Sequence, residues 1–192
     1  VARRSPAEIG GAHDNRAHIH PEHPMALSLY DLSVPVFTRG LGQLAHLLDK
    51  GLAHAQAHDI DTATLVGARL APDMFTLAGQ VQSASDASKL GAARLAGVTA
   101  PSFPDTETTY EELQARVAKT LDFLKTVERA QIDGFEARDV VVKNRRGEMH
   151  FTAERYLLQF ALPNFFFHVT TAYGVLRHSG VPVGKMDYLG KF

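Results

Sequence analysis

Apolar residues recur every three or four positions through most of this chain, a period that fits helices and little else. Leu41, Leu44, Leu48, Leu52 and Ala55 form one such stripe. Side chains at that spacing share one helix face, and the face needs a partner to bury it. Ser33 stands where an N-cap is wanted, and Pro35 fits a first turn that needs no N–H partner. The first helix is therefore expected from about Ser33 to Ala57. Gly40, Gly42 and Gly51 each weaken it by about 1 kcal/mol against alanine, unless they let another helix come close. Residues 59–72 read as a link with room for one short helical turn.

Three more stripes follow. Met74, Leu77, Ala78, Val81, Ser85, Ser88, Ala92 and Leu95 give a second helix, expected from Pro72-Asp73 to Gly97. Many of its inward residues are small, so a neighbour can approach, and Gly97 suits a left-handed stop. A third begins at Thr108 or Thr109, since each has a glutamate three residues on, the pattern of a capping box. Its face is Leu113, Val117, Leu121, Leu124 and Val127, running to about Ala130. Val140 to Val142, then Asn144 to Gly147, then Met149 to Phe151 read as a small β-hairpin. The fourth helix starts near Thr152 and stops at Gly180, with a kink or break expected at Pro163. Four long helices and one hairpin between the third and fourth point to an all-α fold, a helical bundle.

A chain of 192 residues suits one domain. Residues 1–24 are polar, hold His13, His18, His20 and His23, and show no apolar period. They read as a disordered extension ahead of a domain at 25–192. The formal net charge of −1 gives no footprint for nucleic acid or an anionic membrane. Lys143, Arg145 and Arg146 make only a small basic tip on the hairpin. The absence of cysteine excludes disulfides and thiolate chemistry. No apolar run is long enough for a membrane span, and the cytoplasm is the expected setting. Neither a nucleophile elbow nor a phosphate-binding glycine loop occurs.

Two long motifs carry a resemblance. LLQFALPNFFFHVTTAYGVLRHSGVPVGKMDYLG and, earlier, RLAPDMFTLAGQVQSASDASKLGAARLAGV resemble a branch of the DinB/YfiT-like superfamily named only as a domain of unknown function. The likeness covers roughly Met25 to Phe192. It implies a bacterial up-and-down four-helix bundle, often dimeric, within a superfamily in which many members are assigned as metalloenzymes. The usual metal site there takes one histidine from the second helix and an H-x-x-x-H pair from the fourth. Residues four apart share a helix face, so two imidazoles can meet one ion. Here His168 matches the first of the pair, Ala172 replaces the second, and the second helix has no histidine. Its nearest polar residues are Gln80, Gln82 and Asp86. The metal site is expected to be degenerate, with no cofactor, a divalent metal being implied by the resemblance alone and His168 its one weak candidate.

On a helical wheel, His168 and Tyr173 flank the apolar face formed by Phe165, Val169, Ala172 and Leu176. Gln82 and Asp86 lie beside the second helix's stripe. His168, Tyr173, Gln82 and Asp86 are therefore the candidate lining of an interhelical pocket for a small molecule. The competing reading makes His168 a satisfied core residue and pairs Asp86 with Lys89 on the surface. His54 and His58 form the chain's H-x-x-x-H, but with His46 and Lys50 they read as a solvated face. Tyr110 and Tyr156 read as core or cap residues. The function expected is a binding or scaffold domain. The alternative is a metal-independent or atypical enzyme, transferase- or hydrolase-like, working around His168.

Phe165, Phe166 and Phe167 place rings on nearly every side of the fourth helix. Phe165 faces the expected core and Phe167 points the opposite way. An apolar side needs cover. A two-fold homodimer is the cover expected, with the hairpin, or the long loop around Pro101 to Pro104, as the alternatives.

Overall fold

The computed structural model describes residues 27–144 and 147–191. The extension at 1–24 and the hairpin tip at Arg145 and Arg146 lie outside the described residues. In chain order come α1 (Val34–Ala57), α2 (Thr62–Val66), α3 (Leu77–Ala96), α4 (Tyr110–Lys125) and α5 (Arg129–Ile132). The hairpin β1 (Asp139–Asn144) and β2 (Gly147–Thr152) follows. Then α6 (Ala153–Tyr156) runs through a π turn (Leu157–Ala161) into α7 (Leu162–His178), and α8 (Lys185–Leu189) closes the chain. The two strands are antiparallel, with Val140 opposite Phe151 and Val142 opposite Met149. Among the described residues no helix is long and apolar enough to cross a membrane.

The four long helical segments, α1, α3, α4 and α6–α7, form a four-helix bundle with the expected stripes inward. Phe37, Leu41, Leu44 and Leu48 of α1 are buried against Leu77, Val81 and Leu95 of α3, Leu113 and Val117 of α4, and Phe165, Val169 and Leu176 of α7. Each such side chain contributes about 1.5–3 kcal/mol when withdrawn from water. Close approach needs space at two points on α1. A Cβ on Gly40 would collide with the Phe165 ring, and one on Gly51 would meet the Tyr110 hydroxyl at 2.5 Å.

Pairings along the helices give their directions. Gly40 meets Phe165 and Gly51 meets Leu176, so α1 and α7 run parallel. Gln80 meets His168 and Arg94 meets Tyr156, so α3 and the α6–α7 segment run antiparallel. The segment 98–109 returns along α3, with Phe103 beneath Lys89 and Glu107 bonded to Gln82. It delivers α4 to the same end of the bundle at which α3 began. This returning segment is what brings Asp105 and Glu107 beside the middle of α3.

Several expected boundaries move, each for a local reason. Helix α3 begins at Leu77 rather than Pro72-Asp73, because Thr76 caps it by accepting from Gly79 N–H at 3.2 Å. Met74 lies in the preceding turn. Helix α4 starts at the Thr109–Glu112 capping box but ends at Lys125, where Thr126 Oγ1 donates to the Phe123 carbonyl. Arg129–Ile132 is a separate turn, with Gln131 accepting from Glu128 N–H at 2.7 Å. Ser33 occupies the N-cap of α1 without capping it; its hydroxyl donates back to the Leu29 carbonyl at 2.7 Å. Pro163 neither breaks nor ends the fourth helix. The π turn immediately before it widens the helix where a proline ring would press on the preceding carbonyl.

Candidate functional site

The site is built outward from Gln80, a buried side chain in the second turn of α3. Its amide Nε2 donates to the Phe75 carbonyl at 3.4 Å, which can only accept. That turns Oε1 toward His168 Nδ1, 2.8 Å away across the α3–α7 seam. An oxygen acceptor requires a proton on Nδ1, so the neutral ring carries its lone pair on Nε2. Burial holds the His168 pKa below its ordinary 6.5, which keeps the ring neutral at pH 7. Phe75 stacks near the ring at 6.5 Å between centroids, and Phe167 meets it edge-on at 5.3 Å.

His168 lines a cavity of about 280 Å3 between α3 and the α6–α7 segment. Asp86, Arg94, Tyr156, Phe160 and Asn164 line it too, and Val142 of β1 closes one side. The π turn is part of this wall. Its extra backbone residue presents Phe160 and Ala161 to the cavity, and π turns are frequent at functional sites for that reason. Arg94 Nη1 donates to the Tyr156 hydroxyl at 2.9 Å, with its guanidinium 5.7 Å from the Tyr156 ring centroid. Among the described residues Arg94 has no carboxylate partner, and Ser83 and Asn164 make no side-chain hydrogen bond.

Asp86 belongs to a second cluster as well. Its carboxylate bonds to Lys89 and to Arg116, each at 2.9 Å. Arg116 is 1% exposed and pairs further with Asp105 at 2.8 Å and Glu107 at 3.1 Å. Its Nε donates to Ser85 Oγ, which also meets Thr120 Oγ1 at 2.7 Å. Burial pushes the Glu107 carboxyl up, but bonds from Gln82 and Arg116 hold it below the ordinary carboxylate value.

The four residues singled out from the sequence thus divide. Asp86 and His168 share the cavity. Gln82 does not line it: its amide donates to Glu107 at 3.0 Å. Tyr173 stands apart too, edge-on to Tyr188 of α8 at 6.0 Å. Asp86 does pair with Lys89, though Lys89 is buried rather than on the surface. Arg94, Asn164 and Arg116 were missed. Arg116 left one signal, a position three residues after Leu113 on the apolar face of α4.

The donor set does not fit the superfamily's divalent ion. Ala172 offers no ligand atom, and Gln80 Oε1 is engaged by His168 itself. The Asp86 carboxylate is engaged by two cations. Among the described residues no group of three or more histidine, aspartate or glutamate side chains is arranged to hold a metal. His54 and His58 lie 4.2 Å apart between centroids, and His58 Nδ1 donates to the His54 carbonyl. The face they share with His46 and Lys50 is not wholly solvated. Helix α8 packs on it, and Asp187 meets Lys50 at 2.8 Å and His46 at 3.3 Å.

Comparison with known proteins agrees with this fold. No curated protein matches the chain. The family model for a domain of unknown function, DUF1993, matches residues 29–189. A crystal structure of a DinB family member protein from Shewanella denitrificans is similar at 42% identity with a TM-score of 0.79. The match covers 85% of this chain and 93% of that one. The chain belongs to the DUF1993 family and has a DinB-like fold.

Proposed function

We propose that this domain binds a small molecule, without a resident metal, in the cavity between α3 and the α6–α7 segment. One observation carries this reading: the cavity wall holds polar groups with unused bonding capacity. His168 has an acceptor at Nε2, and Ser83 and Asn164 have no protein partner among the described residues. Polar groups that the fold has paired serve stability; groups left unpaired in a concave, partly apolar site suit a ligand. In this reading the superfamily's metal site is degenerate and His168 is retained as an acceptor. The absence of cysteine is consistent with a cytoplasmic setting.

The test is a fragment set of acids, amines and neutral compounds, screened by protein-observed NMR. Wild type is compared with Ala87→Phe, which fills the cavity wall. Fragments that shift α3 and α7 signals, and lose that effect in Ala87→Phe, support the proposal. No binder, or binders indifferent to Ala87→Phe, overturns it. A second reading, an enzyme with His168 as general base, is favoured by the lone pair fixed on Nε2. It prevails if wild type chemically alters a bound fragment and His168→Gln does not.

The domain is further proposed to act as a homodimer. Phe167 is 56% exposed, and Phe75 and Phe166 are exposed as well. The hairpin does not bury Phe167. Such a patch is an association surface when contiguous, and a two-fold contact would repeat it on itself. Sedimentation at micromolar concentration should give a dimer that Phe167→Lys converts to monomer. A wild-type chain that stays monomeric refutes it.

A further inference from the structure

Resting on the cavity reading above, we infer that the ligand is a monocarboxylic acid with an apolar body, its carboxylate held by Arg94. The two ends of the cavity differ. At one end Arg94 is, among the described residues, the sole lysine or arginine on the wall. At the other, His168 offers a neutral acceptor, flanked by the half-exposed rings of Phe75 and Phe167. Between them runs an apolar strip, Ala87 and Leu90 from α3 with Phe160 and Ala161 from the π turn, beside the polar Ser83, Asp86 and Asn164. A molecule lying along it meets cation, then hydrocarbon, then acceptor.

Arg94 is set up for this. One Nη1–H is committed to the Tyr156 hydroxyl, which fixes the plane of the guanidinium and leaves other N–H groups unused. A fixed guanidinium edge matches a carboxylate with two parallel hydrogen bonds. The carboxylates already on the wall do not occupy it. Asp86 is bonded to Lys89 and Arg116, and Asp105 to Arg116. The cavity volume of about 280 Å3 suits a body of one ring and a short chain rather than a nucleotide or a lipid with two chains.

The probe pair is 4-phenylbutyrate and its uncharged amide, which share a shape and differ in the head group. Titration of the full chain, followed by NMR and calorimetry at pH 7, should show the acid binding roughly tenfold tighter than the amide. Arg94→Gln should bring the acid down to the amide's affinity, and Arg94→Lys should retain part of the difference. Equal affinities in wild type, or an acid unaffected by Arg94→Gln, would overturn the assignment. If Arg94→Gln fails to fold, the acid-to-amide ratio in wild type and in Arg94→Lys decides. Two failures are separable. Acid and amide binding equally, both displaced by Ala87→Phe, sink the carboxylate and leave the cavity reading standing. A cavity that takes no fragment of any charge sinks both.

Discussion

Two polar clusters lean on α3, one closed and one open. Around Arg116, Asp86, Asp105, Glu107, Lys89, Ser85 and Thr120 engage one another, and no side-chain polar atom there is buried without a partner. Around His168 and Arg94, only the bonds that orient the groups are made: Gln80 to His168, Tyr156 to Arg94. Both clusters use residues of the same helix, and Asp86 touches both. The difference shows which polar residues serve the fold. A buried charge that has spent its bonds on neighbours can only hold the structure together. An oriented group with capacity left over costs the fold something, and that cost makes sense where a ligand completes it.

The comparison is most easily broken at Arg116. Arg116→Met keeps the apolar stem but takes the cation from Asp105 and Glu107 and one of two cations from Asp86. Removing one partner of a buried ion cluster costs about 3–5 kcal/mol. Because Asp105 and Asp86 are 59% and 37% exposed, the lower end is expected. Urea unfolding measures it. A loss under about 1 kcal/mol would mean the cluster is no more than a screened surface pair. Ser85→Ala comes next, with a loss of about 1–2 kcal/mol, since it strands one arginine N–H in the interior and leaves Thr120 Oγ1 only its bond to the Arg116 carbonyl.

Much of this frame is legible in the sequence, and the closed cluster is not. The stripes gave the buried faces, Thr109 and Glu112 the start of α4, and Gly97 the left-handed stop of α3 at φ 70°. Periodicity assigns a residue to a face but does not say what returns to cover that face. Arg116 stands on the apolar face of α4, and two of its partners, Asp105 and Glu107, sit on the segment 98–109, where there is no helical period to place them. Gln82 was rightly placed beside the α3 stripe, yet that same segment claims it through Glu107. Tyr173 was placed on the correct side of α7 but is met there by α8, a helix the sequence reading left unassigned. For the candidate cavity, His168 and Asp86 were named by wheel and by resemblance. Arg94 was not, because an arginine in the last turn of a helix ordinarily needs no reason beyond the helix dipole.

The clusters also separate by pH. The folded-state pKa of His168 is depressed by burial, so the unfolded chain takes up its proton first. Stability is then fully present above about 6.5, the unfolded value, and is lost as pH falls toward the folded value. Glu107 is depressed relative to 4.5, so its contribution is lost only in a lower window, as pH falls below that value. The expected profile of unfolding free energy has a shallow step below 6.5 that His168→Gln removes, and a later fall below 4.5 that it leaves alone. A first step that survives His168→Gln would place the effect on other histidines. The ring should also show its proton on Nδ1 in long-range 1H–15N spectra, and Gln80→Leu should release that preference.

The smallest expected effect is the sharpest test of the comparison. Ser83 and Ser85 stand two residues apart on α3, one on the cavity wall and one in the closed cluster. Both hydroxyls sit in the same helix, so intrinsic helix propensity changes equally when either becomes alanine. Ser85 is fully buried with partners; Ser83 is half-buried and has no side-chain partner among the described residues. Ser83→Ala should therefore leave unfolding free energy within about 0.5 kcal/mol of wild type, where Ser85→Ala costs clearly more. Asn164→Ala, across the cavity, should behave like Ser83→Ala. If the open groups are there for a ligand, these two variants should instead weaken the binding of a cavity-bound fragment. A Ser83→Ala variant as destabilised as Ser85→Ala would show that the cavity wall is bonded into the fold, and the distinction between the clusters would fail.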